Sequence, residues 1–342
     1  MKKTLIVLLK VGLTLGILAY LVAKAVGTKN EAGQNVFEQL VDQPKDWGLL
    51  AAACLVCAAA VVLTLIRWWY LVRALEIPLR FVDALRIGFL GYLFNLAPMG
   101  IVGGDLLKGW MLAREHQADR VKAFASVVVD RVIGLYMLFI VASVSIFLTG
   151  VWKLQVVEIK LICEITYCLT AVGALLIVLL LTPGFTDGRG TRALGRLPYV
   201  GDTITSLIEA VRIYRRKPAV LITTALISVG VHSLFATGVY LIACGLPGDH
   251  LSLRMHFVVM PLSASTGALP LPMGPFELVL EFLYTHVPES GVAIQTGQGL
   301  VVALGYRVIT LLIAAVGVCY YLGSRGEVAQ VMQEAEQEQQ TE

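Results

Sequence analysis

The feature that most limits how this chain can fold is a series of apolar runs, each long enough to cross a membrane. A helix of about 20 apolar residues spans the hydrocarbon core of a bilayer. Six such runs occur: Thr4 to Val26, Trp47 to Trp69, Phe124 to Thr149, Leu161 to Thr182, Ala219 to Cys244 and Gln298 to Leu322. With 57% hydrophobic and only 15% charged residues, the composition argues against a soluble domain. We therefore predict an all-α polytopic membrane protein with about six spanning helices.

Two further apolar segments are interrupted by residues that a straight membrane helix does not accommodate. The first segment, Asp83 to Lys108, is broken at Pro98, Gly100, Gly103 and Gly104, just before Asp105. Proline removes a backbone donor, glycine permits turns and close approach, and a carboxylate is costly in lipid. Irregular backbone at membrane depth is tolerated where it is buried in protein or lines a wet cavity. The segment is therefore predicted to be a re-entrant helical hairpin next to a functional site.

The second interrupted segment has the same character. It runs from His256 to His286 and is broken at Pro270, Pro272 and Gly274, shortly before Glu277. We predict that it forms a second re-entrant hairpin.

The distribution of basic residues predicts the orientation of the chain. Cytoplasmic loops of membrane proteins are enriched in Lys and Arg. Most of the 27 Lys and Arg residues lie on the cytoplasmic side if the N-terminus is cytoplasmic and each interrupted segment enters and leaves on one side. This topology predicts cytoplasmic N- and C-termini, a basic cytoplasmic loop at residues 184–217, and an acidic, disordered tail at residues 324–342 after a membrane domain of residues 1–323.

The same topology predicts an inverted repeat. Residues 47–149 and 219–322 each give a span, an interrupted segment and another span, but with opposite orientation. Interrupted segments at corresponding positions of two inverted halves are typical of a transporter's substrate site.

Charged residues inside the spans point to the same regions. Arg131 and Arg307 each follow one of the two breaks, and an arginine at such depth costs roughly 3 to 10 kcal/mol unless it is paired or faces water. The acids available as partners are Asp105, Asp130, Glu277 and Glu281. Two interpretations stay open: buried ion pairs that fix helix packing, or a cavity that binds a phosphate through the arginines.

No motif indicates catalysis, a metal or a cofactor. The six cysteines lie in apolar stretches, so we expect neither disulfides nor a metal site. Phosphate-binding glycine loops and nucleophile motifs are missing from the sequence, and the basic residues form no patch suited to nucleic acid.

Four stretches together resemble a known family. They are Pro98 to Lys108, Ala125 to Gly134, Leu269 to Glu277, and Arg307. In this combination the chain resembles, over roughly residues 5 to 323, the transmembrane region of lysylphosphatidylglycerol synthases, a flippase-like family with many stand-alone members. The third stretch departs from the family pattern, because Pro-Met-Gly-Pro stands where the family usually has several glycines.

The resemblance implies a membrane domain that moves a lipid between leaflets, in the synthases an aminoacylated phosphatidylglycerol. The synthases carry a soluble aminoacyl-transferring domain, which we expect to be absent here because the chain ends shortly after its last span. Related archaeal members resemble enzymes that act on polyprenyl-phosphate sugars.

The hypothesis from the sequence is a flippase-like lipid transporter, not an enzyme, in the bacterial inner membrane. A phosphate-bearing headgroup is expected to lie between the two interrupted segments. The predicted substrate-binding residues are Lys108, Arg131 and Arg307, which would neutralise the phosphate, and Asp105, Asp130 and Glu277, which would orient these bases or contact an amine. The alternatives are a membrane-embedded glycosyl- or acyl-transferase, and a scaffold for a separate soluble or membrane enzyme.

Overall fold

The computed structural model describes residues 2–30, 32–96, 103–115, 120–182, 208, 211–269, 271, 273–289 and 292–341. Regular secondary structure in this part of the chain is helical throughout. The helices are α1 Lys2–Gly27, α2 Val36–Asp42, α3 Trp47–Ala74, α4 Phe81–Leu96, α5 Gly104–Glu115, α6 Arg120–Thr149, α7 Val157–Leu181, α8 Pro218–Gly245, α9 Leu253–Ser265, α10 Pro275–His286, α11 Gln298–Gly323 and α12 Arg325–Thr341. Short 3-10 turns follow α6 at Val151–Lys153 and α9 at Thr266–Ala268.

Five helices of the described residues, α3, α6, α7, α8 and α11, are long and apolar enough to cross a membrane. They correspond to five of the six predicted spans and are consistent with a multi-pass membrane protein. The sixth predicted span, Thr4 to Val26, lies within α1, a single helix of 26 residues from Lys2 to Gly27. Helix α7 buries few of its side chains and exposes residues such as Leu175 and Val178, as expected of a helix that faces lipid.

Each interrupted segment consists of two short helices that pack against each other. Helix α4 packs against α5, and α9 against α10, so both segments are helical hairpins. Helix α4 ends at Leu96 and α5 begins at Gly104, while α9 ends at Ser265 and α10 begins at Pro275, so each predicted segment is divided into two helices. Proline lacks a backbone donor and glycine readily adopts non-helical conformations, which favours a break at such positions. Of the predicted break residues, Gly103, Gly104 and Gly274 are described, while Pro98, Gly100, Pro270 and Pro272 lie outside the described residues.

The Cα positions divide the chain into two compact units. The first unit comprises Met1–Ala60, Leu138–Cys168 and His232–Leu312 and contains the α9/α10 hairpin. In this unit α1 packs against α2 and α10. A small apolar cluster joins α1, α2 and α11 through Leu21, Ala25, Val36, Leu300 and Val301. These contacts attach α1 to the rest of the first unit.

The second unit comprises Val61–Met137, Leu169–Val231 and Ile313–Glu342 and contains the α4/α5 hairpin. Its core includes Trp68, Leu90, Leu107 and Tyr214, drawn from helices α3, α4 and α5 and from the segment before α8. The boundaries of the units do not coincide with the predicted halves 47–149 and 219–322, and the inverted repeat stays a prediction.

The C-terminal residues form a helix instead of the predicted disordered tail. Helix α12 buries Val328 and Val331 in the core of the second unit. Glu327 Oε2 lies 3.1 Å from Arg86 Nη1, and Gln330 Oε1 accepts a hydrogen bond from Arg114 Nη2 at 2.7 Å. Although the segment is acidic, its two valines are three residues apart in sequence. They therefore lie on one face of the helix, and this face can pack against the core.

Most of the predicted basic loop, residues 184–217, lies outside the described residues. Its last part is held to the end of α3. The Tyr214 hydroxyl donates a hydrogen bond to the Leu71 carbonyl oxygen at 3.0 Å, and Lys217 Nζ donates to the Ala74 carbonyl oxygen at 2.8 Å.

Candidate functional site

The first hairpin brings its two helices into backbone contact at a pair of glycines. A Cβ atom on Gly104 would collide with the carbonyl oxygen of Gly91, so only glycine permits this approach. The close crossing places Asn95, near the end of α4, beside Asp105 in the first turn of α5. The sequence therefore positions the acid through the break that precedes it.

Asp105 is the centre of a cluster of polar side chains. Its two carboxylate oxygens accept hydrogen bonds from Arg131 of α6, Oδ2 from Nε at 2.6 Å and Oδ1 from Nη2 at 2.7 Å. Lys108 Nζ lies 3.7 Å from Oδ1, and Asn95 Nδ2 donates to Oδ1 at 3.4 Å. The bidentate pair fixes the plane of the guanidinium group. We call Asn95, Asp105, Lys108 and Arg131 the first cluster; its two cations outnumber its carboxylate by one.

The first cluster is open on one side. The side chain of Arg131 is 57% exposed and that of Asp105 is 31% exposed, whereas the side chain of Lys108 is only 7% exposed. An exposed ion pair within an apolar helix is costly against lipid tails, so its open side must meet water or a polar headgroup. The guanidinium group of Arg131 is therefore exposed on the open side of the cluster, and the ammonium group of Lys108 is buried.

The second hairpin positions an acid in a similar way. Gly274, with φ +104°, precedes α10 in a backbone conformation that other residues rarely adopt. Glu277 Oε2 accepts a hydrogen bond from Gly274 N at 2.7 Å, and Glu277 Oε1 accepts one from Arg307 Nε of α11 at 2.6 Å. The guanidinium carbon of Arg307 also lies 5.4 Å from the centre of the Phe276 ring. We call Glu277 and Arg307, with Gly274, the second cluster.

The second cluster is more enclosed than the first. The Glu277 side chain is fully buried, and the Arg307 side chain is 18% exposed. Among the described residues, Arg307 donates side-chain hydrogen bonds to protein only through Nε.

Asp130, predicted to bind substrate, lies outside both clusters and pairs with Arg67 instead. Its Oδ1 accepts a hydrogen bond from Arg67 Nε at 2.8 Å, and Arg67 Nη1 donates to the Ser228 hydroxyl at 2.8 Å. The side chains of Arg67 and Asp130 are only 5% and 6% exposed. Adjacent positions on a helix point in different directions, so Asp130 and Arg131 serve different partners.

Sequence reasoning missed Arg67. Arg67 lies near the end of the predicted span Trp47 to Trp69 and is not among the predicted site residues, and α3 continues through it to Ala74. The sequence contains a signal for its position. The apolar residues Trp68, Leu71 and Val72 follow Arg67, so the apolar pattern of the helix continues beyond it.

Glu281, a candidate partner for the arginines, caps a helix instead. Its carboxylate accepts hydrogen bonds from the backbone N–H groups of Gly297 at 2.6 Å and Leu300 at 2.9 Å, at the start of α11. A carboxylate at this end of a helix satisfies otherwise unpaired donors and complements the helix dipole.

In the part of the chain that the structure describes, no group of three or more His, Cys, Asp or Glu side chains is arranged to hold a metal ion. The polar chemistry of the two clusters is that of guanidinium, ammonium and carboxylate groups.

Comparison with known proteins bears on this geometry. The sequence profile of the family described as the lysylphosphatidylglycerol synthase TM region matches residues 7–317. The chain belongs to this family. No curated protein matches the sequence.

The residues that match the lysylphosphatidylglycerol synthase TM family include both clusters. They also include all five candidate spans apart from the last residues of α11. The match confirms the resemblance noted from the sequence and is consistent with a role connected to membrane lipids.

Proposed function

We propose that this protein is a flippase-like transporter that moves a phosphate-bearing lipid between membrane leaflets. The observation that supports the proposal most is the open first cluster, in which Arg131 is exposed beside a buried Lys108. A structural ion pair needs neither the exposure nor the second cation, as the enclosed pair of Arg67 and Asp130 demonstrates.

The first cluster has the chemistry required to bind a phosphate monoester or diester. Asp105 occupies Nε and Nη2 of Arg131 and holds the guanidinium plane in place. Nη1 can then donate to a phosphate oxygen, and Lys108 adds a positive charge at close range. Asp105 can also accept a hydrogen bond from an amine on the headgroup, as an aminoacylated lipid would carry.

The second cluster offers a weaker version of the same chemistry. Arg307 is oriented by Glu277 and keeps donors for a phosphate oxygen, but the pair is neutral overall. We propose that each cluster contacts the headgroup during transport, while the acyl or isoprenoid tails stay in lipid. A polar route of this kind is needed because an anionic headgroup cannot cross about 30 Å of hydrocarbon unaided.

The proposal includes the location and partners of the protein. We propose that it lies in the inner membrane with both termini in the cytoplasm, that both hairpins are re-entrant, and that its substrate is a bilayer lipid. A separate lipid-modifying enzyme would supply that substrate if the lipid is aminoacylated or carries a sugar.

The test is a comparison of variants in proteoliposomes. Arg131→Ala and Arg307→Ala should each reduce the rate of phospholipid translocation at least tenfold, because a charge-assisted contact is worth about 1.5 to 3 kcal/mol. The control is Arg73→Ala, which removes an exposed arginine from the last turn of α3. All three variants should remain monodisperse on size-exclusion chromatography.

Normal transport by both cluster variants would contradict the proposal. Group transfer to a lipid carrier without translocation would support the transferase alternative, and retention of function in every cluster variant would support the scaffold alternative.

A further inference from the structure

A cavity in the first unit lies outside both clusters and has its own arginine. Its volume is about 340 Å³, and it is lined by Ser145, Leu148, Thr149, Arg254 and Phe257. The first three residues belong to the last turns of α6, and the other two belong to the first turns of α9. The volume falls at the lower end of the range of about 300 to 1,000 Å³ that is typical of small-molecule sites.

Arg254 lies in the first turn of α9. It is exposed, and within the described residues its guanidinium group makes no ion pair. A cation is unfavourable in this turn because the start of a helix carries partial positive charge. An anionic ligand in the cavity would offset this unfavourable position.

The start of α9 already has one anionic partner from the protein. The backbone N–H of Ser252, which precedes the helix, donates a hydrogen bond to Glu289 Oε2 at 2.7 Å, so the cavity's attraction for an anion comes from side chains. The Ser145 hydroxyl is a further polar group of the cavity wall. The donors around the cavity thus fit phosphate oxygens.

Leu148 and Phe257 form the apolar part of the cavity wall. Leu148 is 75% exposed and Phe147, next to it in α6, is 66% exposed, so the cavity opens beside an apolar surface at the end of a membrane span. A free phosphate gains nothing from such a surface, whereas the acyl chains of a lipid do. We propose that this cavity binds the phosphate of an anionic phospholipid headgroup through Arg254, with the acyl chains along the exposed apolar face of α6.

The experiment counts lipids bound to the purified full-length protein by native mass spectrometry in a neutral detergent. The probes are dioleoylphosphatidylglycerol, dioleoylphosphatidylcholine and inorganic phosphate. Each titration is done with the wild-type protein and with the Arg131→Ala/Arg307→Ala variant. The variant removes the arginines of the two clusters, so lipid that it still binds can be assigned to this cavity independently of the proposed function.

In that background, phosphatidylglycerol should still bind, and adding Arg254→Ala should weaken binding at least tenfold because a charge-assisted contact is lost. Adding Lys160→Ala instead, which removes an exposed cation of α7 that does not line the cavity, should leave binding unchanged. Ser145→Ala should weaken binding by a smaller factor.

Three results would overturn the proposal. The first is equal binding by the Arg254→Ala and Lys160→Ala proteins, and the second is equal binding of phosphatidylcholine and phosphatidylglycerol. The third is displacement of phosphatidylglycerol by inorganic phosphate at equal concentration, which would indicate a site for free phosphate.

Discussion

Arginines in the apolar helices of this protein are accommodated in two ways. Arg67 is enclosed with Asp130 and Ser228, and every contact serves the fold. Arg131 is fixed by Asp105 but leaves its outer edge exposed. The same type of ion pair can therefore be structural or available to a ligand, and exposure separates the two cases.

The enclosed pair leads to a prediction on stability. Arg67→Met leaves Asp130 buried without its cation, which should cost about 3 to 5 kcal/mol. The measurement is the free energy of unfolding in mixed detergent micelles titrated with a denaturing detergent. The double variant Arg67→Met/Asp130→Leu should recover most of the loss, because no charge then remains buried. A single variant as stable as wild type would contradict the structural role.

Individual site residues were predictable to different degrees. Arg131, Arg307, Asp105 and Glu277 stand out because charge is rare in apolar helices, and the structure places them in two clusters of acid and arginine. The partner of Asp130 was not predicted, because adjacent residues on a helix face different neighbours and Arg67 lies 63 positions away in sequence.

At the scale of elements, the breaks in α4/α5 and α9/α10 determine where the acids lie. Each acid follows a glycine within the first turn of the second helix of its hairpin, Asp105 after Gly104 and Glu277 after Gly274. Glycine and proline patterns predicted the two hairpins. They could not predict which helices cross in close contact, since that depends on tertiary packing.

The crossing of α4 and α5 can be tested with two neighbouring glycines. Gly104→Ala places a Cβ against the backbone of Gly91, which cannot give way, and should cost about 1 to 3 kcal/mol as the helices separate. Gly103→Ala is the matched control, because its Cβ would lie 4.0 Å from the nearest atom, Asn95 Oδ1. Thermal unfolding in detergent should distinguish them; equal melting temperatures would show that the close crossing is wrong.

Helix α12 is the element that the sequence analysis failed to predict. Val331→Asp buries an unpaired charge in the core of the second unit and should release the helix. Hydrogen exchange of residues 325–334 should then increase by orders of magnitude. Ala329→Asp, on the exposed face of the same helix, should leave exchange unchanged. Equal protection in both variants would contradict the packing of α12.

At the scale of the whole molecule, hydrophobic run length predicted more than any local motif. Five predicted spans are confirmed as helices because a segment in lipid must satisfy its own backbone hydrogen bonds. The family follows from the combined motifs and is confirmed over residues 7–317. The inverted repeat depends on the orientation of each span in a bilayer, which run length alone does not determine.

The central claim is that the protein moves a phosphate-bearing lipid across the bilayer. The most direct measurement is the translocation of fluorescent phospholipid and polyprenyl-phosphate analogues in liposomes, scored by dithionite quenching of the inner leaflet. Wild-type protein should expose the inner pool far faster than empty vesicles do, and the Arg131→Ala/Arg307→Ala protein should match empty vesicles. Wild-type rates equal to those of empty vesicles for every phosphate-bearing lipid would contradict the account.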